Sequence, residues 1–159
     1  MGNDFSQPRE YPLFLKLPPG TKEGLDLILA PIPVDSLREH ESISEEHVRE
    51  LAKDIRLRGL MRPIVIDAGS GTILDGHHRF SAFRRLGRKA IPALLLDYFD
   101  PRVVLESRAG VTKEQVVRRA AEGNRYPQKT TKHSIRISSG LIHVSEILDH
   151  IERGDSNGS

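Results

Sequence analysis

The segment from residue 62 to residue 79 places the strongest limits on the fold. It reads RPIVIDAGSGTILDGHHR, in which two short apolar runs (64–66 and 72–74) flank a turn of glycine and serine. This pattern predicts a β-hairpin. The second run ends in Asp75-Gly76, and HHRFSAFRRLG then predicts a short helix that begins after Gly76 and ends at Gly87. The chain must therefore pass from a strand into a helix through one glycine.

The other elements indicate a mixed order of strands and helices. SISEEHVRELAKDIRLRG (42–59) predicts a helix, with Ser42 and Glu45 in capping-box spacing. KAIPALLLDY (89–98) is the most apolar strand and is predicted to be central. Before these elements we expect DLILAPIPVDSL (26–37) as a strand. After them we expect TKEQVVRRAAEGN as a helix capped by Thr112, RYPQKTTKHS as a polar loop and SEILDHIER as a closing helix. The predicted fold class is α+β, a mixed sheet flanked by short helices.

A chain of 159 residues fits a single main domain. We expect an extended N-terminal arm over residues 1–24 and the main domain over 25–135. A C-terminal helical segment is expected over 136–153 and a disordered tail over 154–159.

Composition excludes several classes of protein. The chain has no cysteine, which rules out disulfides, thiol catalysis and cysteine-based metal sites. Its 24 Lys and Arg against 22 Asp and Glu are too balanced for a nucleic-acid footprint by themselves. The apolar run 25–34 is short and broken by prolines, and the first twenty residues lack the layout of a secretory signal. We therefore expect a soluble cytoplasmic protein without membrane contact.

The Asp75–Arg79 turn is the first candidate for chemistry. A helix start carries unpaired N–H groups and partial positive charge, so it favours anions. Gly76 permits close approach of a ligand, and His77, His78 and Arg79 add side-chain donors. Asp75 would repel a phosphate unless a cation lies between them, and Mg²⁺ bridging the carboxylate and the phosphate meets that need. A plain surface turn is the alternative.

Zinc fits the adjacent histidines less well. Neighbouring side chains on a helix point about 100° apart. No histidine or glutamate follows at the i, i+4 spacing that would complete a ligand set.

Two further segments carry candidate residues. His40 and Glu41 precede the capped helix, where a carboxylate could accept a proton from a hydroxyl nucleophile or could be a plain solvated acid. The segment 127–134 holds five consecutive donor-bearing residues that suit a phosphate or carboxylate clamp, or a solvated basic loop: Lys129, Thr130, Thr131, Lys132 and His133.

A basic helix face is the last candidate. It is formed by Arg84, Arg85, Arg88 and Lys89. Such a face is usually a solvated surface, but it is also what contact with a DNA backbone requires.

Together these motifs resemble the ParB/sulfiredoxin-like superfamily. The resemblance rests on VDSLREHE, LRGLMRPIVID and LDGHHRFSAFRRLG, and runs from about residue 30 to residue 98. It is closest to the free L-serine kinase branch, through REHE (38–41), ILDGHHR (73–79) and PQKTTKH (127–133). A sulfiredoxin itself is excluded, because its turn needs a catalytic cysteine.

The resemblance implies a ParB/sulfiredoxin-like fold and a specific reaction. Phosphoryl transfer from ADP or ATP to free L-serine would give O-phospho-L-serine. By resemblance Glu41, beside His40, matches the general base, although Glu39 is a second acid two residues away. The turn from Asp75 to Arg79 matches the site of nucleotide phosphate and Mg²⁺, with Asp75 as the metal ligand. The segment 129–133 matches residues that close over the substrate.

Two other functions stay open. A ParB-like DNA-binding or nucleotide-switch module is the first, although only one helix follows the turn domain where a helix-turn-helix would be expected. A nucleotide sensor without turnover is the second. No motif specifies an oligomeric state.

Overall fold

Two β-sheets and three α-helices are built by the residues that the computed structural model describes, 4–5, 10–60 and 62–151. The strands are β1 Leu13–Leu17, β2 Leu25–Pro33, β3 Ile64–Asp67, β4 Ile73–Asp75, β5 Ala90–Leu96, β6 Val103–Glu106, β7 Lys132–Ile137 and β8 Gly140–His143. The helices are α1 Glu45–Arg58, α2 His77–Arg85 and α3 Lys113–Ala121. This arrangement confirms the α+β class.

The larger sheet has the strand order β1-β2-β5-β3-β4. β5 lies at its centre, antiparallel to β2 and parallel to β3, which confirms the prediction made for the most apolar run. Because both faces of a central strand are covered, β5 reads as continuous apolar sequence rather than as an alternation. β3 and β4 form the predicted antiparallel hairpin.

α1 has the predicted apolar spacing, but its N-cap lies two residues later in the chain than predicted. Val48, Ala52 and Ile55 are its buried residues. The side chain of Ser44, not Ser42, accepts a hydrogen bond from the backbone N–H of His47. The capping-box prediction for Ser42 and Glu45 was therefore wrong, because a second serine offers the same oxygen at a position where the backbone is extended and the helix can start.

α2 and α3 begin where predicted and end two residues before the predicted glycines, at Arg85 and Ala121. α2 starts directly after Gly76, and α3 is capped by a full box between Thr112 and Gln115. Phe80 and Phe83 of α2 are buried, and α2 packs against α1. A fully buried aromatic side chain of this size contributes about 1.5–3 kcal/mol through burial, so this helix pair is well anchored to the sheet.

A second sheet of order β6-β7-β8 was not predicted. The predicted polar loop 125–134 turns into β7 at Lys132, and the segment after residue 136, predicted to be helical, first forms the β7–β8 hairpin. Only Val144–Glu146 and the residues up to 151 are helical. The strand was hidden because β7 shows no regular alternation: three consecutive buried positions, 133–135, lie between the exposed Lys132 and Arg136, and the composition is that of a basic loop.

Both sheets share one hydrophobic core. Ile73 and Phe80 from the larger sheet and α2 belong to the same buried cluster as Val103, Ile135 and Ile147. The predicted N-terminal arm contains β1, which pairs with β2 along its whole length. The tail 154–159 lies outside the described residues, and the division into arm, domain and C-terminal segment stays a prediction.

No helix in the described part of the chain is both long and apolar enough to cross a bilayer.

The position of the α1 cap is testable with a matched pair of serines. Ser44→Ala should lower the free energy of unfolding by about 1 kcal/mol, because it removes the oxygen that caps the helix. Ser42→Ala should change it by less than about 0.5 kcal/mol, as surface changes usually do. Urea denaturation of both variants measures the difference. Equal losses, or a larger loss in Ser42→Ala, would contradict the cap assignment.

Candidate active site

A cavity of about 630 Å³ brings the three candidate segments together. Glu41 lies on one wall, the turn from Asp75 to Arg79 on another, and Lys129, Thr131, Lys132 and His133 on a third. These segments are far apart in the chain, and β4, the start of α2 and the start of β7 position them. The cavity is therefore the candidate active site.

Gly76 is required by the turn. Its φ of +104° lies in the left-handed region, and a Cβ atom there would lie 2.5 Å from Cγ2 of Ile64. Only glycine adopts this conformation without strain or overlap. Among the described residues no side chain caps the start of α2, so its first N–H groups stay available to an anion.

Arg79 neutralises Asp75. Its Nη2 donates to Oδ2 of Asp75 at 2.6 Å, and its Nη1 donates to the carbonyl oxygens of Arg62 (3.2 Å) and Pro63 (2.9 Å). From the sequence, Arg79 was predicted to donate hydrogen bonds to a phosphate, and a separate cation was predicted to lie beside Asp75. The structure shows that Arg79 itself supplies positive charge to Asp75, which leaves less of the guanidinium free for a ligand.

His77 and His78 hold the loop that carries Glu41. Nε2 of His77 accepts from the backbone N–H of His40 at 3.2 Å, and Nε2 of His78 accepts from the backbone N–H of Ser44 at 3.0 Å. Burial lowers the pKa of both imidazoles, which favours the neutral form that can accept. Both histidines were predicted to donate to phosphate. Since Nε2 is an acceptor in each, only Nδ1 could do so.

Glu41, not Glu39, faces the cavity. Its side chain is 9% exposed, and its Oε2 accepts from the hydroxyl of Thr131 at 2.6 Å. Glu39 is absent from the cavity wall and instead accepts from Ser81 and from Arg125. The choice between the two acids of this loop therefore falls on Glu41.

His40 lies behind the wall rather than on it. It is fully buried, and its ring centroid is 4.6 Å from that of His77 and 6.1 Å from that of His133. Burial lowers its pKa to about 4. Because it does not line the cavity, the structure gives no support to the predicted catalytic role of His40.

The five predicted donors of the late segment have three different environments. Lys129, Thr131 and Lys132 face the cavity, and all three also line a neighbouring cavity of about 760 Å³. Thr130 lies only in that second cavity, and its hydroxyl donates to the carbonyl oxygen of Pro127. His133 is bonded on both sides, to the Tyr98 hydroxyl at 2.8 Å and to the Leu74 carbonyl oxygen at 3.1 Å.

The sequence patterns did not predict seven other residues of the wall, which are Ser42, Ser44, His47, Leu51, Leu74, Gln128 and His143. His47 packs against His78, with ring centroids 4.4 Å apart. Its position one turn into α1, just after the acidic loop, is a signal that could have revealed it. His143 is the last residue of β8, a strand that the sequence pattern did not predict.

Comparison with known proteins places the chain in a family. The ParB N-terminal domain model matches residues 22–106, and the chain belongs to this family. It is 38% identical over 81 residues to an ATP-dependent L-serine kinase of Staphylothermus marinus, covering 48% of this chain and 32% of that one. It is 26% identical to a chromosome-partitioning protein, Spo0J, of Thermus thermophilus, covering 87% of this chain and 62% of that one.

The fold is shared with solved free serine kinase structures. One, a variant in complex with ADP, superposes with a TM-score of 0.62 at 15% identity, over 79% of this chain and 93% of that one. This likeness confirms the predicted fold. The chain spans about a third of the length of the serine kinase relative from Staphylothermus marinus.

The bond between His78 and Ser44 predicts a local change. His78→Ala should speed hydrogen exchange of the Ser44 amide about 2- to 10-fold, because a net hydrogen bond of about 0.5–1.5 kcal/mol is lost. His78→Gln, which keeps an acceptor, should show a smaller effect, and the Val116 amide in α3 serves as the internal control. Unchanged exchange at Ser44 in His78→Ala would contradict this bond.

Acid should destabilise the fold through His133. Burial lowers the pKa of His133 from 6.5 to about 3, so its contribution is complete above pH 6.5 and is lost as the pH falls toward 3. At pH 5 the loss is about 2 kcal/mol. Urea denaturation at pH 7 and pH 5 measures the free energy of unfolding. Its decrease between the two pH values should be larger by this amount in the wild type than in His133→Gln. An equal loss in both proteins would show that His133 does not carry it.

Proposed function

We propose that the protein transfers a phosphoryl group from ADP or ATP to the hydroxyl of free L-serine, giving O-phospho-L-serine. The observation that carries this proposal is the single cavity, in which a buried carboxylate (Glu41) faces an uncapped helix start (76–79) and two lysines (129 and 132). Phosphoryl transfer needs mainly positioning and neutralisation of charge. The serine kinase relatives support the same reaction.

The helix start and the lysines would hold the nucleotide phosphates. Backbone N–H groups at the start of α2 present partial positive charge, and the Arg79–Asp75 pair leaves no net negative charge beside them. Lys129 and Lys132 approach from the late segment and add two ammonium groups. These positive groups would therefore lower the repulsion between the phosphate oxygens and an incoming hydroxyl.

Asp75 fits a Mg²⁺ ion that accompanies the nucleotide. Arg79 occupies Oδ2, whereas Oδ1 has no hydrogen-bond partner among the described residues, and the carboxyl group lines the cavity. Mg²⁺ is commonly held by one or two carboxylates together with phosphate oxygens and waters. When bound, the ion would neutralise charge on the phosphates.

Glu41 would orient the serine hydroxyl and accept its proton. The hydroxyl oxygen then forms a bond to the terminal phosphorus, while the bond from that phosphorus to its bridging oxygen breaks and AMP or ADP leaves. The Thr131 hydroxyl fixes one oxygen of Glu41, and the histidine bonds to residues 40 and 44 fix the backbone on both sides of it. This carboxylate is therefore preorganised for the transfer.

The alternative function is DNA binding, and an assay of the wild-type protein distinguishes it from serine phosphorylation. Incubation with L-serine, Mg²⁺ and either ADP or ATP should give O-phosphoserine, detected by ³¹P NMR. No product with either nucleotide, together with duplex DNA binding that falls steeply with salt, would overturn the kinase proposal.

The two acids of the early loop provide a matched pair of variants. Glu41→Gln should lower turnover by about 100-fold or more, since a general base typically contributes 10²–10⁴-fold, while the nucleotide Kd stays within about twofold. Glu39→Gln, which removes charge from the same loop, should keep most of the activity. If nucleotide affinity fell as much as turnover in Glu41→Gln, the assignment of the base would be wrong.

A further inference from the structure

The side chain of His40 has two buried nitrogen atoms, and the proposed phosphoryl transfer assigns no role to either of them. The residue is fully buried, and neither Nδ1 nor Nε2 meets a hydrogen-bond partner among the described residues. A buried polar group without a partner costs about 1–3 kcal/mol. Such a group calls for a ligand that the protein side chains do not supply.

Glu41 and His77 complete a possible ligand set around it. One nitrogen of His40, one nitrogen of His77 and one carboxylate oxygen of Glu41 lie within 4.8 Å of one another. All three residues are buried. The adjacent pair His77-His78 did not suit zinc from sequence spacing, but here only His77 takes part and its partners come from the loop before α1. The folded chain thus assembles a site that residue spacing could not reveal.

Two imidazoles and one carboxylate favour a transition metal over Mg²⁺. Nitrogen ligands suit Zn²⁺ and its neighbours, whereas Mg²⁺ prefers oxygen. Burial lowers the pKa of both histidines, which favours the neutral form that binds metal. Because a neutral imidazole has a single lone pair on its ring nitrogens, an ion at His77 replaces the hydrogen bond that its Nε2 accepts from the His40 N–H. Glu41 and His77 also line the cavity, which gives an ion a route of entry.

We propose that His40, Glu41 and His77 bind one divalent transition-metal ion of the Zn²⁺ class. A tetrahedral ion with bonds of about 2.0–2.2 Å holds its ligand atoms about 3.3–3.6 Å apart. The three ligand atoms lie within 4.8 Å of one another, so the widest separation closes by at most about 1.5 Å when an ion binds. An ion at this site occupies the carboxylate that the proposed function uses as its base, so it inhibits phosphoryl transfer.

Cobalt provides a direct test, because Co²⁺ bound in a tetrahedral site shows visible absorption bands that hydrated Co²⁺ lacks. Titration of the full chain with Co²⁺, without nucleotide or serine, should give these bands at one ion per chain, and Zn²⁺ should remove them while Mg²⁺ should not. Glu41→Gln and His40→Ala should each weaken binding by more than about 100-fold, above the loss that follows removal of a supporting hydrogen bond.

His47→Ala is the matched control, because His47 and His78 form the other close histidine pair on the cavity wall. It should keep the bands. Glu41→Gln is nearly isosteric, so it tests the site even if His40→Ala fails to fold. Absence of the bands in the wild type, or their loss in His47→Ala with retention in Glu41→Gln, would overturn the proposal. This readout needs no turnover, so it stands or fails separately from the kinase assay.

Discussion

Two hydrogen bonds from the loop before α1 to the start of α2 organise the site. They join the backbone N–H groups of His40 and Ser44 to Nε2 of His77 and His78. Glu41 lies between the two bonded amides, so its backbone is fixed at both sides. Both bonds require neutral imidazoles, which the burial of these rings favours. Together with the bonds of this loop to Tyr126 and of Glu41 to Thr131, they set the distance between the carboxylate and the helix start.

The strand-to-helix turn provides the other half of this arrangement. Gly76 allows β4 to pass into α2 without overlap with Ile64, and Arg79 closes the turn by pairing with Asp75. The helix start therefore points its free N–H groups out of a turn that carries no net charge of its own. The uncapped helix start follows from backbone geometry, whereas the side chains of the motif mostly support that backbone.

Much of the fold follows from local patterns in the sequence. The apolar spacing of α1, the hairpin before Gly76 and the continuous apolar run of β5 each specify their element, because one face or both faces must be buried. The small sheet could not be predicted in the same way. β7 is short and begins at a lysine, and its burial depends on contacts with β6 and β8 that are distant in sequence or weak in pattern.

The site shows the same division. Sequence motifs identified the segments that meet at the cavity, because glycine, paired histidines and clustered donors are rare together. They could not assign the roles of single side chains. His77 bonds a backbone group 37 residues away, and Arg79 bonds two backbone carbonyls 16 and 17 residues away besides its neighbour Asp75. The choice between Glu39 and Glu41 depends on the direction in which an extended loop turns each side chain. Those relations exist only in the folded chain.

The proposed phosphoryl transfer requires that nucleotide phosphates bind at the start of α2, opposite Glu41. An NMR titration of the ¹⁵N-labelled protein with Mg²⁺ and ADP or ATP measures this binding directly. We expect the largest amide shifts at residues 76–79, with smaller shifts at residues 129–132 and in the loop that carries Glu41. Shifts concentrated on the basic face formed by Arg84, Arg85, Arg88 and Lys89, with residues 76–79 unmoved, would contradict it.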